Sequence, residues 1–285
     1  MHNTLPDALG YYAEAGAITD PSFFAPLLDA VSKGIPGVVK AVQGLLVHIN
    51  WAEHYGLNLS DEREQEMRAR TVVQKLDKAL GYDSRPLTEG RELENRLVAN
   101  SRDYSVLLCA MLRHQGVPAR ARCGFATYFV PDQYEDHWVC EHWNADEKRW
   151  VLVDAQLDAM QRRALRISFN QFDVPRDKYL VAGKAWQMCR AGQADPDKFG
   201  LLEWRGLWFV RNNLVRDLLA LNKIELLPWD RWGLMADSQE PLTPVDAELL
   251  DRIAALTQGG NETLGQVLSL VSGDARLQAA PNWQP

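Results

Sequence analysis

The sequence predicts an α+β fold: one central helix and a small antiparallel sheet, set between mostly helical flanks. Three observations predict it. Residues 103–114 carry apolar side chains at helical spacing and stop at Gly116 and the Val117-Pro118 pair. Three stretches then follow, ARARCGFATYFV, HWVCEHW and RWVLVDA, rich in alternating, β-branched and aromatic residues, the last two joined by the turn-like NADEK. Helical patterns dominate on both sides. The 285 residues are expected to form a single domain, with residues 95–158 as the core and 1–94 and 159–285 as helical elaborations.

Taken in order, DPSFFAPLLDAVSKG (20–34) spaces its apolar residues as a helix does and ends in Gly. PGVVKAVQGLLVHINWAEHYG (36–56) repeats the pattern. SDEREQEMRARTVVQKLDKALG (60–81) has Asp61 three residues before Glu64, a capping-box spacing, and closes at Gly81. TEGRELENRLVAN (88–100) is a further short amphipathic candidate. After residue 157 the chain turns helical again. LLEWRGLWFVRNNLVRDLLALNKI (201–224) is apolar enough to be buried over much of its surface, and DAELLDRIAALTQ (246–258) is a late helix. The tail QAAPNWQP is expected to be loosely held.

Composition sets the class. Hydrophobic residues make up 46% and charged residues 24%, with a net charge of −7. An acidic chain without clustered Lys and Arg is not built to bind nucleic acid broadly. No apolar run is long enough to cross a bilayer, and the first sixteen residues lack a basic and apolar secretory pattern. Cys109, Cys123, Cys140 and Cys189 are widely spaced and read as reduced, buried thiols. The expectation is a soluble cytoplasmic protein.

Three positions stand out together: Ser101 at a helix start, His137 opening a strand and Asp154 ending the next. In that order they supply a nucleophile position, a base and an orienter. Residues 137, 139, 141 and 143 share one strand face, as do 150, 152 and 154, so an antiparallel hairpin can make His137 and Asp154 cross-strand neighbours. Read singly, Ser101 is a helix N-cap, His137 a polar sheet residue and Asp154 a turn residue. Cys109, mid-helix among Leu107, Leu108 and Met111, reads as packing. Cys140 and His142 share a face, but no second ligand pair accompanies them, so no metal or cofactor is predicted. Arg113 and His114 read as a solvated helix end, Arg120 and Arg122 as partners of nearby acids, and the ten tryptophans as core by default.

SRDYSVLLCAMLRHQGVPARARCGF resembles the nucleophile segment of the transglutaminase-like superfamily, where a cysteine precedes an Arg-Asp-aromatic start and a helix running into a Gly-Val-Pro-Ala-Arg strand. HWVCEHW resembles the family's histidine strand and RWVLVDAQLD its aspartate strand. The resemblance implies a papain-like Cys-His-Asp fold whose nucleophile, histidine and aspartate fall at Ser101, His137 and Asp154. It also implies acyl transfer or hydrolysis on a small-molecule or peptide substrate. The departure is serine where the family has cysteine. A cysteine there is held largely as thiolate by the helix dipole and the histidine; a hydroxyl must give up its proton during attack. Three readings stay open: an introduced Cys→Ser change, a natural serine variant, or a protein that binds without catalysis.

Overall fold

The structure, a computed structural model, describes residues 7–238, 240–280 and 283–285. The tail expectation therefore falls partly outside the described residues. In chain order the elements are α1 (Ala8–Ala13), α2 (Ala25–Leu28), α3 (Ile35–Leu45), β1 (Leu46–His48), α4 (Asp61–Glu64), α5 (Val72–Tyr82), β2 (Leu97–Ala99), α6 (Ser101–His114), β3 (Ala119–Ala126), β4 (Tyr134–Asn144), β5 (Arg149–Val153), α7 (Ala159–Ala164), β6 (Tyr179–Val181), α8 (Ala182–Arg190), β7 (Phe199–Leu201), β8 (Trp204–Arg205), α9 (Leu207–Leu221), α10 (Pro244–Thr257) and α11 (Leu264–Gly273). This is the predicted α+β class. No helix among the described residues is long and apolar enough to cross a membrane.

The chain divides into two compact units. Among the described residues, the first holds 7–11, Arg122–Trp138 and most of the chain from Pro175; the second holds Tyr12–Ala121 and Val139–Val174.

The second unit is organised around α6, in which every residue from Arg102 to Arg113 is buried. Helices α3 and α5 pack against it. Strand β5 lies antiparallel to β4, pairing Cys140 with Val153, Glu141 with Leu152 and Trp143 with Trp150. Odd residues of β4 and even residues of β5 therefore share a face, as the alternation predicts. The upstream helices are shorter than expected. The 36–56 stretch leaves the helix at Leu46 for β1, and the 88–100 stretch ends in β2; these pair in parallel, Leu46 with Leu97 through His48 with Ala99. Three residues running Leu-Val-His or Leu-Val-Ala fit either period, and tertiary pairing decides. The 60–81 stretch also breaks. Ser60 caps α4 through Arg63 N–H, and a second helix starts at Thr71, whose hydroxyl and the Gln74 side chain form a reciprocal capping box.

In the first unit the strand order is β6-β3-β4-β7-β8. Helices α8, α9 and α10 pack on one another, burying Trp186, Leu214, Leu218 and Ile253 completely. The 201–224 stretch divides, its first residues forming the β7–β8 hairpin and only Leu207–Leu221 the helix. Gly206, at φ +120°, makes the turn between them. Arg122 is the main polar feature of this interior: Nε and Nη2 donate to the two oxygens of Asp217 on α9, and Nη2 also donates to Thr257 O on α10.

Candidate functional site

Ser101 and Asp154 belong to the second unit, His137 to the first. Ser101 is the first residue of α6, not its cap. Asn100 caps the helix: its side chain accepts from Asp103 N–H, and Asp103 Oδ2 accepts from Asn100 N–H at 3.1 Å. The helix start is thus satisfied without the serine hydroxyl, and half-buried Ser101 is left at the positive end of the helix dipole.

Below this turn lies a charged cluster that the sequence did not announce. Asp103 Oδ1 receives Lys75 Nζ at 2.6 Å and Arg102 Nη1 at 3.1 Å, and the side chains of all three are 1% exposed. Lys75 also donates to Ala69 O at 2.6 Å, and Arg102 Nη2 to Arg70 O at 3.0 Å. Burial outweighs the ion pair and brings the Lys75 ammonium down to about 8. A lysine inside an amphipathic helix normally reads as its solvated face, so Lys75 carried no signal.

Asp154 follows β5 directly and is 1% exposed. Its N–H donates to Gln171 O at 2.9 Å and its Oδ1 accepts from Gln156 N–H at 3.0 Å, an Asx turn that fixes the carboxylate at the strand end.

His137, also 1% exposed, lies on β4 among aromatic rings of its own unit. Phe129 is 4.9 Å away between centroids, Tyr128 6.1 Å and Tyr179 6.2 Å, all edge-on. Tyr179 reaches across from β6. Its hydroxyl donates to the carbonyls of Arg122 and His137, at 2.9 and 3.0 Å, tying β3 to β4 at the histidine. Burial holds that phenol well above its ordinary range, so it stays a donor. Gly124 makes room: a Cβ there would lie 2.2 Å from Leu180 O. The ATYFV stretch suggested continuing strand, but β3 ends at Ala126, which leaves Tyr128 and Phe129 in the following loop.

Cys109 and Cys140 are fully buried with their sulfurs 3.2 Å apart. Burial pushes the Cys140 and Cys123 thiols well up, and half-buried Cys189 up to about 11. Arg120 pairs with Glu141 at 2.7 Å and lies 4.1 Å over the Trp150 ring, the bland role expected of it. Arg113 is a correction: it is 4% exposed and donates to Ala119 O and Thr19 Oγ1. Trp204 and Trp229 also depart from the core default, being 58% and 47% exposed.

Residues 53–155 match the transglutaminase-like superfamily, a span that includes positions 101, 137 and 154 and begins well upstream of the core drawn from the sequence. No curated protein matches. Among solved structures, a protein provisionally assigned as a cysteine protease from Cytophaga hutchinsonii is similar at 12% identity and a TM-score of 0.37, over 60% of this chain. The chain spans 44% of that protein's length.

Proposed function

From the transglutaminase-like core carried by residues 53–155 we propose that the chain is an acyl-transfer or amide-hydrolysing protein whose triad positions are Ser101, His137 and Asp154. Residue 101 attacks the carbonyl of an amide, ester or thioester. Its proton passes to His137, which later gives it to the leaving group, and Asp154 orients the imidazole. The acyl group then moves to an amine or to water. A backbone N–H at the α6 start, that of residue 101, helps stabilise the developing oxyanion.

The observation that supports this most is the setting of residue 101. It is the first residue of α6, whose cap is supplied by Asn100, and so sits at the positive end of the dipole of a helix buried from Arg102 to Arg113. The β4–β5 register adds support: it sets odd residues of β4 on the same face as even residues of β5, the classes to which His137 and Asp154 belong. The serine itself favours a second reading, a protein that has kept the fold and binds without turnover, because no dipole of this size makes an alkoxide at neutral pH.

Ser101→Cys separates the two. Intact-protein mass spectrometry with an acyl thioester probe should show one acyl adduct at position 101 in that variant, lost when His137→Ala is added. A folded Ser101→Cys protein that takes no acyl group supports the binding reading.

A further inference from the structure

Within the first unit a cavity of about 400 Å³ opens at the start of α9. A volume of that size holds a small molecule. Its apolar lining comes from Trp186, Leu207, Trp208 and Leu242. Both indole N–H groups are already spent, Trp186 Nε1 on Asp251 Oδ1 at 2.6 Å and Trp208 Nε1 on Arg205 O at 2.8 Å, so these residues offer ring surface and no donor.

Arg211 on α9 lines the same cavity and is 6% exposed. Its Nε donates to Leu234 O, but neither Nη1 nor Nη2 has a hydrogen-bond acceptor among the described residues. The carboxylate paired with it, that of Asp246, lies 3.6 Å from Nη2 and is shared, its Oδ1 taking Arg276 Nη1 at 3.0 Å. A buried guanidinium with half a counter-charge and two unmet donor groups is costly to leave so. Arg205, also at the cavity, has no such deficit, because it donates to Leu202 O, Lys198 O and Glu135. Gly206 starts α9 there without a side-chain cap, and the helix end adds positive partial charge. Asp197 and Glu240 line the cavity too, but both are exposed. Their charges keep their water and are screened; they leave the buried guanidinium uncompensated and disfavour a second negative charge beside it.

We propose that this cavity is a binding site for a small molecule that joins one carboxylate to an aromatic body. The carboxylate lies against the Nη1–Nη2 edge of Arg211, which suits two parallel hydrogen bonds, and the ring lies against the indoles. The site does not depend on the triad assignment.

The test is isothermal titration calorimetry on the full chain with four probes: phenylacetate, phenethylamine, phenylsuccinate and acetate. Phenylacetate should bind tightest of the four. Arg211→Met should weaken it by about tenfold or more, the scale of a lost charge-assisted bond. Leu242→Trp keeps the guanidinium and fills the space, at a half-buried position, and should weaken it as much; it decides the matter if Arg211→Met fails to fold. Tighter binding of phenethylamine would show that the exposed carboxylates govern the cavity and overturns the proposal. Phenylsuccinate binding as well as phenylacetate overturns the single-charge rule, and acetate binding as well overturns the aromatic part. Phenylacetate binding that neither folded variant weakens, or none at millimolar concentration, overturns the site itself.

Discussion

Arg122 and Asp217 meet in a two-point ion pair, Nε to Oδ1 at 2.9 Å and Nη2 to Oδ2 at 2.8 Å, with side chains 2% and 0% exposed. Asp217 Oδ1 also accepts from Cys123 N–H at 3.0 Å, so one carboxylate holds α9 to strand β3. Such a pair is worth little against a well-packed apolar substitute, but removing one member leaves a buried charge alone.

Asp217→Ala is therefore expected to cost about 3 kcal/mol or more in urea unfolding. Replacing both residues, Arg122→Met with Asp217→Leu, should recover part of that loss. A single variant as stable as the parent would show that the carboxylate is dispensable.

Lys75 predicts a pH dependence. Its folded-state value is lowered to about 8 against about 10.5 unfolded, so between those values the unfolded chain binds the extra proton. Stability from this group is present above about 10.5 and lost as pH falls through about 8. The swing is on the order of 3 kcal/mol. Unfolding of the parent and Lys75→Met, compared from pH 7.5 to 10, should show the parent gaining relative to the variant as pH rises. Parallel curves would contradict the lowered value.

Two glycines should respond oppositely to alanine. At Gly124 the added methyl would strike backbone, and packing a methyl into a filled site costs about 1–3 kcal/mol. At Gly81, in α5, nothing lies within 4 Å of a built Cβ, and alanine should stabilise by roughly 0.5–1 kcal/mol. A Gly124→Ala variant that melts no lower than the parent would contradict the close approach at β6.

Thiol chemistry gives a further check. Cys109, Cys123 and Cys140 are fully buried and Cys189 is not. In the native protein an aromatic disulfide reagent should react at Cys189 alone, with a rate that climbs as pH approaches about 11. Rapid reaction of Cys109 at neutral pH would show that α6 opens.

What the sequence disclosed was the part governed by local period. The α6 helix and strands β3, β4 and β5 announce themselves by spacing and by Gly116 and NADEK, and Ser101, His137 and Asp154 are ordered along them. The β1–β2 pair was hidden, because its partners are about fifty residues apart and each is too short to show alternation. The roles of Lys75 and Arg113 were hidden for another reason. Both are long cations in helices, and only tertiary contacts bury them. The start of α6 fell between these cases: Ser101 looked like a cap because serine commonly is one, while Asn100 takes the position.

The short parallel ribbon also limits how this protein can be trimmed. A fragment excised at Glu53, where the family likeness begins, would shed β1 and orphan the edge of β2, the three residues that lead straight into Asn100 and residue 101. The stretch that matches the family is thus smaller than the piece that supports the start of α6, because residues 46–48, which pair with β2, lie outside it.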